Sequence, residues 1–356
     1  MRAGQGTFRP AGVLPVVPPP EDDELVSSWL DRTARFYGVP IQALLADVAP
    51  RSRPISLSGL DLGTFRAMLL PIAALLGVSI EFLVGQTIAA AYPWAINLVA
   101  QDVVAPSDRR PPRLRYAACS HCLEQQRAER GFSWLRREWI LAPRTVCSSH
   151  HAVLIEGAIG TIAHPVWADF LRRHRRVGHA VSATRSCGAE PGYPIQERIV
   201  DRTINEFHRR MSGIQDAMLM EASRGQATAP RSALAEEAVM VGDLVWAFTR
   251  RDSLYPDRLI YEAFASDLLD GPRHTARCRQ PGPVDHACLS LKQRHRMMAT
   301  ATMFLGAPET RLALYGVARS QQADLAGLAR RLGAADRAEL AGRRTRWVQT
   351  GTTSGV

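Results

Sequence analysis

Apolar residues recur at helical spacing from residue 21 onward, and this spacing predicts a mainly helical protein. Leu25, Trp29 and Phe36 follow one another four and seven residues apart, as residues on one face of a helix do. Gly38 ends this pattern. The acidic residues at 21–24 are predicted to form the first turn of the helix, where negative charge is favourable.

A short internal repeat predicts two helix-turn-helix pairs. Residues 34–45 and 73–84 share Ala, Gly and aliphatic positions at an offset of 39 residues. Gly38 and Gly77 are expected to take the left-handed turn conformation. Pro40 and Ser79 stand where each second helix would start. Two packed helices without any DNA contact share this pattern, so DNA reading by these pairs is an alternative that stays open.

The second half of the chain is also predicted to be helical. A stripe of apolar residues with heptad-like spacing runs through residues 196–220: Val200, Ile204, Phe207, Met211, Ile214 and Met218. Such a stripe is either an intramolecular core face or the seam of a homodimer. Residues 232–250 form a second amphipathic segment.

These patterns predict a mainly α protein with three folded parts. Residues 1–20 are rich in Pro and Gly and are expected to be a disordered tail. A helical, helix-turn-helix-like module is expected at 21–100, a small zinc-ribbon-like module at 101–160, and a helical C-terminal domain at 161–356.

The most apolar stretch, 67–80, is shorter than the roughly 20 residues that span a membrane, and the N-terminus does not resemble a signal peptide. We therefore expect a cytoplasmic protein without a membrane partner.

Positive charge is concentrated in the middle of the chain. Residues 101–180 contain 13 arginines and 7 acidic residues, a net charge of +6 within a total of +10. This concentration favours a polyanion such as DNA, although a solvated arginine-rich surface is the alternative. The candidate nucleic-acid-binding residues are Arg109, Arg110, Arg113, Arg115, Arg136, Arg137, Arg172, Arg173, Arg175 and Arg176.

Two short motifs predict a zinc site. Cys119 and Cys122 form a Cys-x-x-Cys motif, and Cys147 and His150 form a Cys-x-x-His motif after 24 intervening residues. Each pair can direct two ligands at one ion, and two pairs complete the tetrahedron that structural zinc prefers. One Zn²⁺ per chain is predicted.

Several other histidines and cysteines are further candidates for metal ligands. His121 faces away from a two-residue knuckle, and His151 is an alternative to His150. A second site could be built from His274, Cys278, His286 and Cys288, but their spacings are irregular. A catalytic zinc would keep one position open for water, whereas here four ligands fill the site. No phosphate-binding Gly loop or nucleophile elbow is present, so no enzymatic activity is expected.

Together these motifs resemble the TniQ family, the transposition accessory proteins of transposons related to the Tn-seven group. The resemblance covers about residues 14–156. It is carried by Leu14-Pro15, Pro18, Glu24-Leu25, Ser27-Ser28-Trp29-Leu30, the helical stretch with Gly38, the two metal-binding motifs, Trp139 and Leu154. Many members resemble one another further in a Cys-x-x-Cys motif soon after the His, where this chain has residues 155–158 without cysteine.

The resemblance implies a non-enzymatic adaptor. Such proteins link a targeting element bound to DNA or to a guide RNA with the AAA+ ATPase that recruits the transposase. It also implies that Cys119, Cys122, Cys147 and His150 are the zinc ligands. Trp29 is either an anchor for the ATPase or a core residue of the first helix. The alternative function is a zinc-containing helix-turn-helix transcriptional regulator that binds DNA.

Overall fold

The computed structural model describes residues 12–46, 48, 56–64, 66–101, 114–157, 194–224, 232–250, 252–254, 259–260, 286–305 and 330–351. The chain divides into two compact units. The first comprises residues 1–141 with 154–189, and the second comprises 142–153 with 190–356. Residues 142–153, which contain the second metal-binding motif, belong to the second unit.

The first unit begins with six helices, which together confirm its predicted helical character. They are α1 (Val26–Phe36), α2 (Ile41–Leu45), α3 (Leu57–Leu62), α4 (Arg66–Leu76), α5 (Ile80–Gly85) and α6 (Ile88–Ala91), followed by a 3-10 helix at Pro93–Leu98. Their apolar faces form one core that includes Trp29, Leu44, Leu60, Ile72 and Leu83. Trp29 is 1% exposed, and its indole N–H donates to Pro18 O at 2.6 Å.

The two turns of the internal repeat have the predicted backbone. Gly38 and Gly77 have φ angles of 68° and 65°, in the left-handed region that favours glycine. Ser79 caps α5 by accepting from Phe82 N at 3.1 Å, as predicted. The second helices of the two pairs are short, because α2 has 5 residues and α5 has 6.

The described residues before α1, from residue 12 onward, pack onto the helices. Residues 1–11 of the expected disordered tail lie outside the described residues. Leu14 is buried, and its N–H donates to Leu75 O at 2.8 Å. Pro18 and Pro19 turn their carbonyls toward Trp29 and Arg32, which donate to them. Pro-rich chain has few backbone donors of its own, so donors from α1 fix its position through these carbonyls.

Helix α1 begins at Val26, later than its acidic prefix predicted, and it has no acidic residue in its first turn. Asp61 of α3 supplies the negative charge instead. Its carboxylate accepts from Ser27 N at 2.7 Å and from Ser27 Oγ at 2.6 Å. The carboxylate thus caps the N-terminal end of α1, where backbone N–H groups lack intrahelical partners.

The rest of the first unit carries the first metal-binding motif. Strand β1 (Ala117–Ala118) leads into helix α7 (Ser120–Arg130), and a 3-10 helix covers Arg137–Ile140. Strand β2 (Ile155–Glu156) pairs antiparallel with β1, with Ala117 opposite Glu156. Among the described residues this two-residue pair is the whole sheet, so the expected zinc-ribbon-like layout is not confirmed.

The second unit contains the long helix α8 (Pro194–Arg224), α9 (Ala233–Phe248), α10 (Leu291–Leu305) and α11 (Ala334–Gly351), with a 3-10 helix at His286–Cys288. Phe207, Met211 and Ile214 of the predicted stripe lie in the core of this unit, which is the arrangement that the core alternative predicts. Val200 and Ile204 are on α8, but their side chains lie outside the described part. No helix of the described ranges is long and apolar enough to cross a membrane.

Candidate metal centre

The first two ligands are presented by the start of α7. Cys119 is the N-cap residue of this helix, and Cys122 lies in its first turn. The helix begins there because Cys119 O accepts from Leu123 N at 3.1 Å. Helix N-termini favour negative charge, so this position also favours the thiolate forms that bind zinc.

The other two ligands come from a tight turn. Cys147 N donates to Ala152 O at 2.8 Å, and Cys147 O accepts from His151 N at 2.9 Å. His151 closes this turn with a φ of 51°, in the left-handed region. The turn brings Cys147 Sγ within 3.8 Å of His150 Nδ1.

These four side chains form one cluster. The ligand atoms of Cys119, Cys122, Cys147 and His150 all lie within 4.8 Å of one another, and the three cysteines are buried. In a tetrahedral site with Zn–S bonds of about 2.3 Å, neighbouring sulfurs are about 3.8 Å apart. The donor set therefore fits a four-coordinate metal with little movement. No other group of three or more potential ligands is found within the described ranges.

The remaining candidates for metal binding lie outside this cluster. His121 is on the exposed side of α7, as its position between the two cysteines predicts. His151 is not among the clustered ligands. Of the four residues considered for a second site, His286 and Cys288 are described, whereas His274 and Cys278 lie outside the described residues.

Three of the candidate nucleic-acid-binding arginines form ion pairs. Arg115 pairs with Glu156 at 3.1 Å and Arg136 with Glu138 at 3.1 Å. Arg137 pairs with Asp23 at 3.2 Å. Arg109, Arg110, Arg113, Arg172, Arg173, Arg175 and Arg176 lie outside the described residues. Two of these pairs lie within the 114–157 segment, and the third joins it to Asp23 before α1. The paired arginines are therefore weaker candidates for phosphate contacts than the sequence indicated.

A buried polar cluster that the sequence pattern did not predict lies next to the metal-binding segment. Arg32 donates to Glu24 at 2.7 Å and lies over the ring of Phe132, 4.7 Å from its centroid. Burial raises the pKa of Glu24, against the lowering effect of Arg32. Ser28 donates to Glu24 and accepts from Leu135 N at 3.0 Å. Only the Ser-x-x-x-Arg spacing on α1, one turn apart, could have signalled this cluster.

Asp61 extends this polar framework toward the first metal-binding motif. Besides its bonds to Ser27, its carboxylate accepts from Tyr116 Oη at 2.9 Å. Tyr116 immediately precedes β1, which leads to Cys119. Asp61 is fully buried, and burial raises its pKa from 3.8 to about 6.

The described part of the chain is thus a mainly helical protein with one Cys₃His cluster whose geometry suits a metal ion. Residues 15–154 match the family model described as TniQ. This match covers less than half of the chain, and it supports the resemblance to the TniQ family and a role associated with transposition. No curated protein and no solved structure matches the chain.

Proposed function

We propose that this chain is a non-enzymatic, zinc-containing adaptor in DNA transposition. It links recognition of the target site to an AAA+ regulator that recruits the transposase. The observation that carries this proposal is the coincidence of the TniQ match over residues 15–154 with the buried Cys₃His cluster inside that range.

The chemistry of the cluster supports zinc in a structural role. Three thiolates and one imidazole complete a tetrahedron and leave no position for a water molecule or a substrate. Because zinc binding requires deprotonated ligands and orders the segments that carry them, metal binding is coupled to local folding. The ion would be held by Cys119, Cys122, Cys147 and His150. It would cross-link two segments of the chain and would have no catalytic role.

The regulator contact is assigned to the surface of the first unit rather than to Trp29. A residue that anchors a partner must be exposed in the free protein, and Trp29 is buried and hydrogen-bonded. Exposed apolar side chains are present on α1, α4 and α5, at Phe36, Leu70 and Phe82. These residues replace Trp29 as candidates for the contact.

Co-purification with a co-expressed AAA+ transposition regulator tests this proposal. The full-length chain should retain the ATPase on an affinity column and hydrolyse no ATP by itself. Cys147→Ser should abolish retention, because the metal-bound fold is lost. Cys288→Ser is the matched control, since Cys288 is a cysteine outside the cluster, and it should bind like the wild type.

The result that contradicts the adaptor is a folded, zinc-loaded wild-type chain that does not retain the ATPase. Sequence-specific binding to DNA upstream of a promoter, together with that result and with no transposase gene nearby, would favour the transcriptional regulator. ATP hydrolysis by the purified chain would contradict the non-enzymatic assignment.

A further inference from the structure

The loop that enters the second metal-binding motif is bound by a glutamine of α8. Gln215 is fully buried, and its Oε1 accepts from Thr145 N at 3.0 Å and from Val146 N at 3.1 Å. Its amide nitrogen donates to Thr145 Oγ1 at 2.7 Å. One side chain thus satisfies the two backbone N–H groups that immediately precede Cys147. Buried backbone donors are costly when they have no partner, so this loop depends on Gln215.

Helix α10 holds the same loop from its other end. Arg294 is fully buried and donates to Ala142 O at 2.8 Å and to Leu289 O at 3.2 Å. His295 faces Thr145, with its Nδ1 3.4 Å from Thr145 Oγ1. Burial lowers the pKa of His295 to about 3, so the imidazole is neutral at physiological pH. The loop therefore has side-chain partners from α10 as well as from α8.

The motif itself is joined to α8 at its first ligand. Ser212 lies one turn before Gln215 and donates to Cys147 O at 3.4 Å. Val146, the residue before Cys147, is fully buried in the core that contains Met211 and Ile214. The backbone on both sides of the Cys147 peptide is thus fixed by residues beyond 194, outside the range that matches the TniQ family.

We propose that Gln215, assisted by Ser212, is a positioning residue for the metal site, which holds Cys147 and His150 in the geometry that the ion requires. Residues that orient metal ligands typically change metal affinity by about 10- to 100-fold when they are replaced. The part of the chain after residue 194 therefore has a role in retaining the metal of the TniQ region. This inference rests on the proposed zinc site.

Transfer of zinc from the full-length protein to a chromophoric chelator tests this inference. Gln215→Met keeps the length of the side chain but leaves Thr145 N and Val146 N without their acceptor. It should release zinc at least about tenfold faster than the wild type. Gln215→Glu retains an acceptor for both N–H groups and should release zinc more slowly than Gln215→Met.

A control separates positioning from general loss of stability. Phe248→Leu removes volume from the buried end of α9, and its phenyl ring carries no group that could hydrogen-bond to the loop. It should lower the melting temperature while zinc release stays within about twofold of the wild type, well below the tenfold or greater acceleration expected for a positioning residue. Equal release rates in Gln215→Met and the wild type, or equal acceleration in Gln215→Met and Phe248→Leu, would overturn the inference.

The Ser212→Ala variant and the zinc content of the wild type provide two further tests of the role of Gln215. If Gln215→Met does not fold, Ser212→Ala takes its place, because it removes a single bond to Cys147 O. Faster zinc release in Ser212→Ala supports the inference, and a wild-type rate overturns it. A folded wild-type chain that binds no zinc would overturn the zinc site itself, whereas unchanged release from a zinc-loaded variant overturns only the role of Gln215.

Discussion

Asp61 connects three parts of the first unit through one buried carboxylate. It caps α1 through Ser27 and accepts from Tyr116 beside the first metal-binding motif. Hydrogen bonds to the carboxylate lower its pKa, but desolvation is the larger effect and raises it to about 6. The charged form is therefore less favourable in the folded protein than in the unfolded chain.

This shift predicts a specific pH dependence of stability. Because the folded pKa is above the unfolded value, the contribution of Asp61 is fully present below pH about 4 and is lost as the pH rises through about 6. Asp61→Asn removes this titration. Between pH 5 and 7.5, the wild type should lose about 1 kcal/mol of unfolding free energy relative to Asp61→Asn. Urea unfolding of both proteins at the two pH values measures this change. If the two proteins differed in stability by the same amount at both pH values, the raised pKa of the buried Asp61 would be contradicted.

Two glycines with the same backbone conformation differ in their surroundings. Gly63 and Gly38 have φ angles of 78° and 68°. A Cβ at Gly63 would lie 2.7 Å from Thr87 Oγ1, whereas a Cβ at Gly38 would meet nothing within 4 Å. Thr87 is buried and its hydroxyl donates to Val84 O, so it cannot move freely.

Alanine substitutions should separate backbone strain from steric clash. Gly38→Ala should lower the unfolding free energy by about 1–2 kcal/mol, the effect of the left-handed conformation alone. Gly63→Ala should lower the unfolding free energy by about 1–3 kcal/mol more than Gly38→Ala does, because of the clash with Thr87. Chemical denaturation of the two variants provides the comparison. Equal losses would show that Thr87 does not confine Gly63.

At the scale of helices, local signals in the sequence were sufficient for some features and not for others. The Gly38 and Gly77 turns and the Ser79 cap follow from residue chemistry within a few positions, and the structure has all three. The start of α1 predicted from the acidic residues 21–24 was too early, because the residue that caps the helix, Asp61, is 34 residues away from Ser27. The clustering of four metal ligands was predictable from spacing, but the partners of Gln215 and Arg294, about 70 and 150 residues away, were not.

Helices α8 and α9 approach each other at a glycine on each helix. A Cβ at Gly213 would lie 3.7 Å from Leu234, and a Cβ at Gly242 would lie 3.5 Å from Met218. Both distances are ordinary van der Waals contacts, so each position has room for alanine. The stripe on α8 is therefore a packed core face whose neighbouring glycines are not sterically required.

Replacing either glycine should accordingly stabilise the protein. Gly213→Ala and Gly242→Ala should each raise the unfolding free energy by about 0.5–1 kcal/mol, because alanine loses less backbone entropy in a helix. Thermal and urea unfolding would detect this gain. A loss of stability in either variant would mean that α8 and α9 pack more closely than their described contacts indicate.

At the scale of the whole molecule, part of the positive charge of the middle region is engaged in ion pairs. Arg115, Arg136 and Arg137 are engaged with acidic residues. The run Arg172, Arg173, Arg175 and Arg176 is the densest group of arginines in the sequence. We therefore assign the proposed DNA contacts to this run before the ion-paired arginines.

The salt dependence of DNA affinity tests this assignment. Each arginine that neutralises a phosphate contributes about 0.9 to the slope of log K against log salt concentration. Changing the four arginines of the run to glutamine should reduce the slope by up to about 3.6, while Arg136→Gln and Arg137→Gln should leave it nearly unchanged. Fluorescence anisotropy on duplex DNA at several salt concentrations provides the slopes. The opposite pattern would place the contacts on the 114–157 segment.

The proposed adaptor depends most directly on a single zinc ion bound by Cys119, Cys122, Cys147 and His150. Native mass spectrometry of the full-length chain, purified without added metal or chelator, measures this occupancy. The wild type should carry one zinc per chain, Cys147→Ser should carry none, and Cys288→Ser should carry one. A folded wild-type chain without zinc, or one zinc retained in Cys147→Ser, would contradict the structural zinc site.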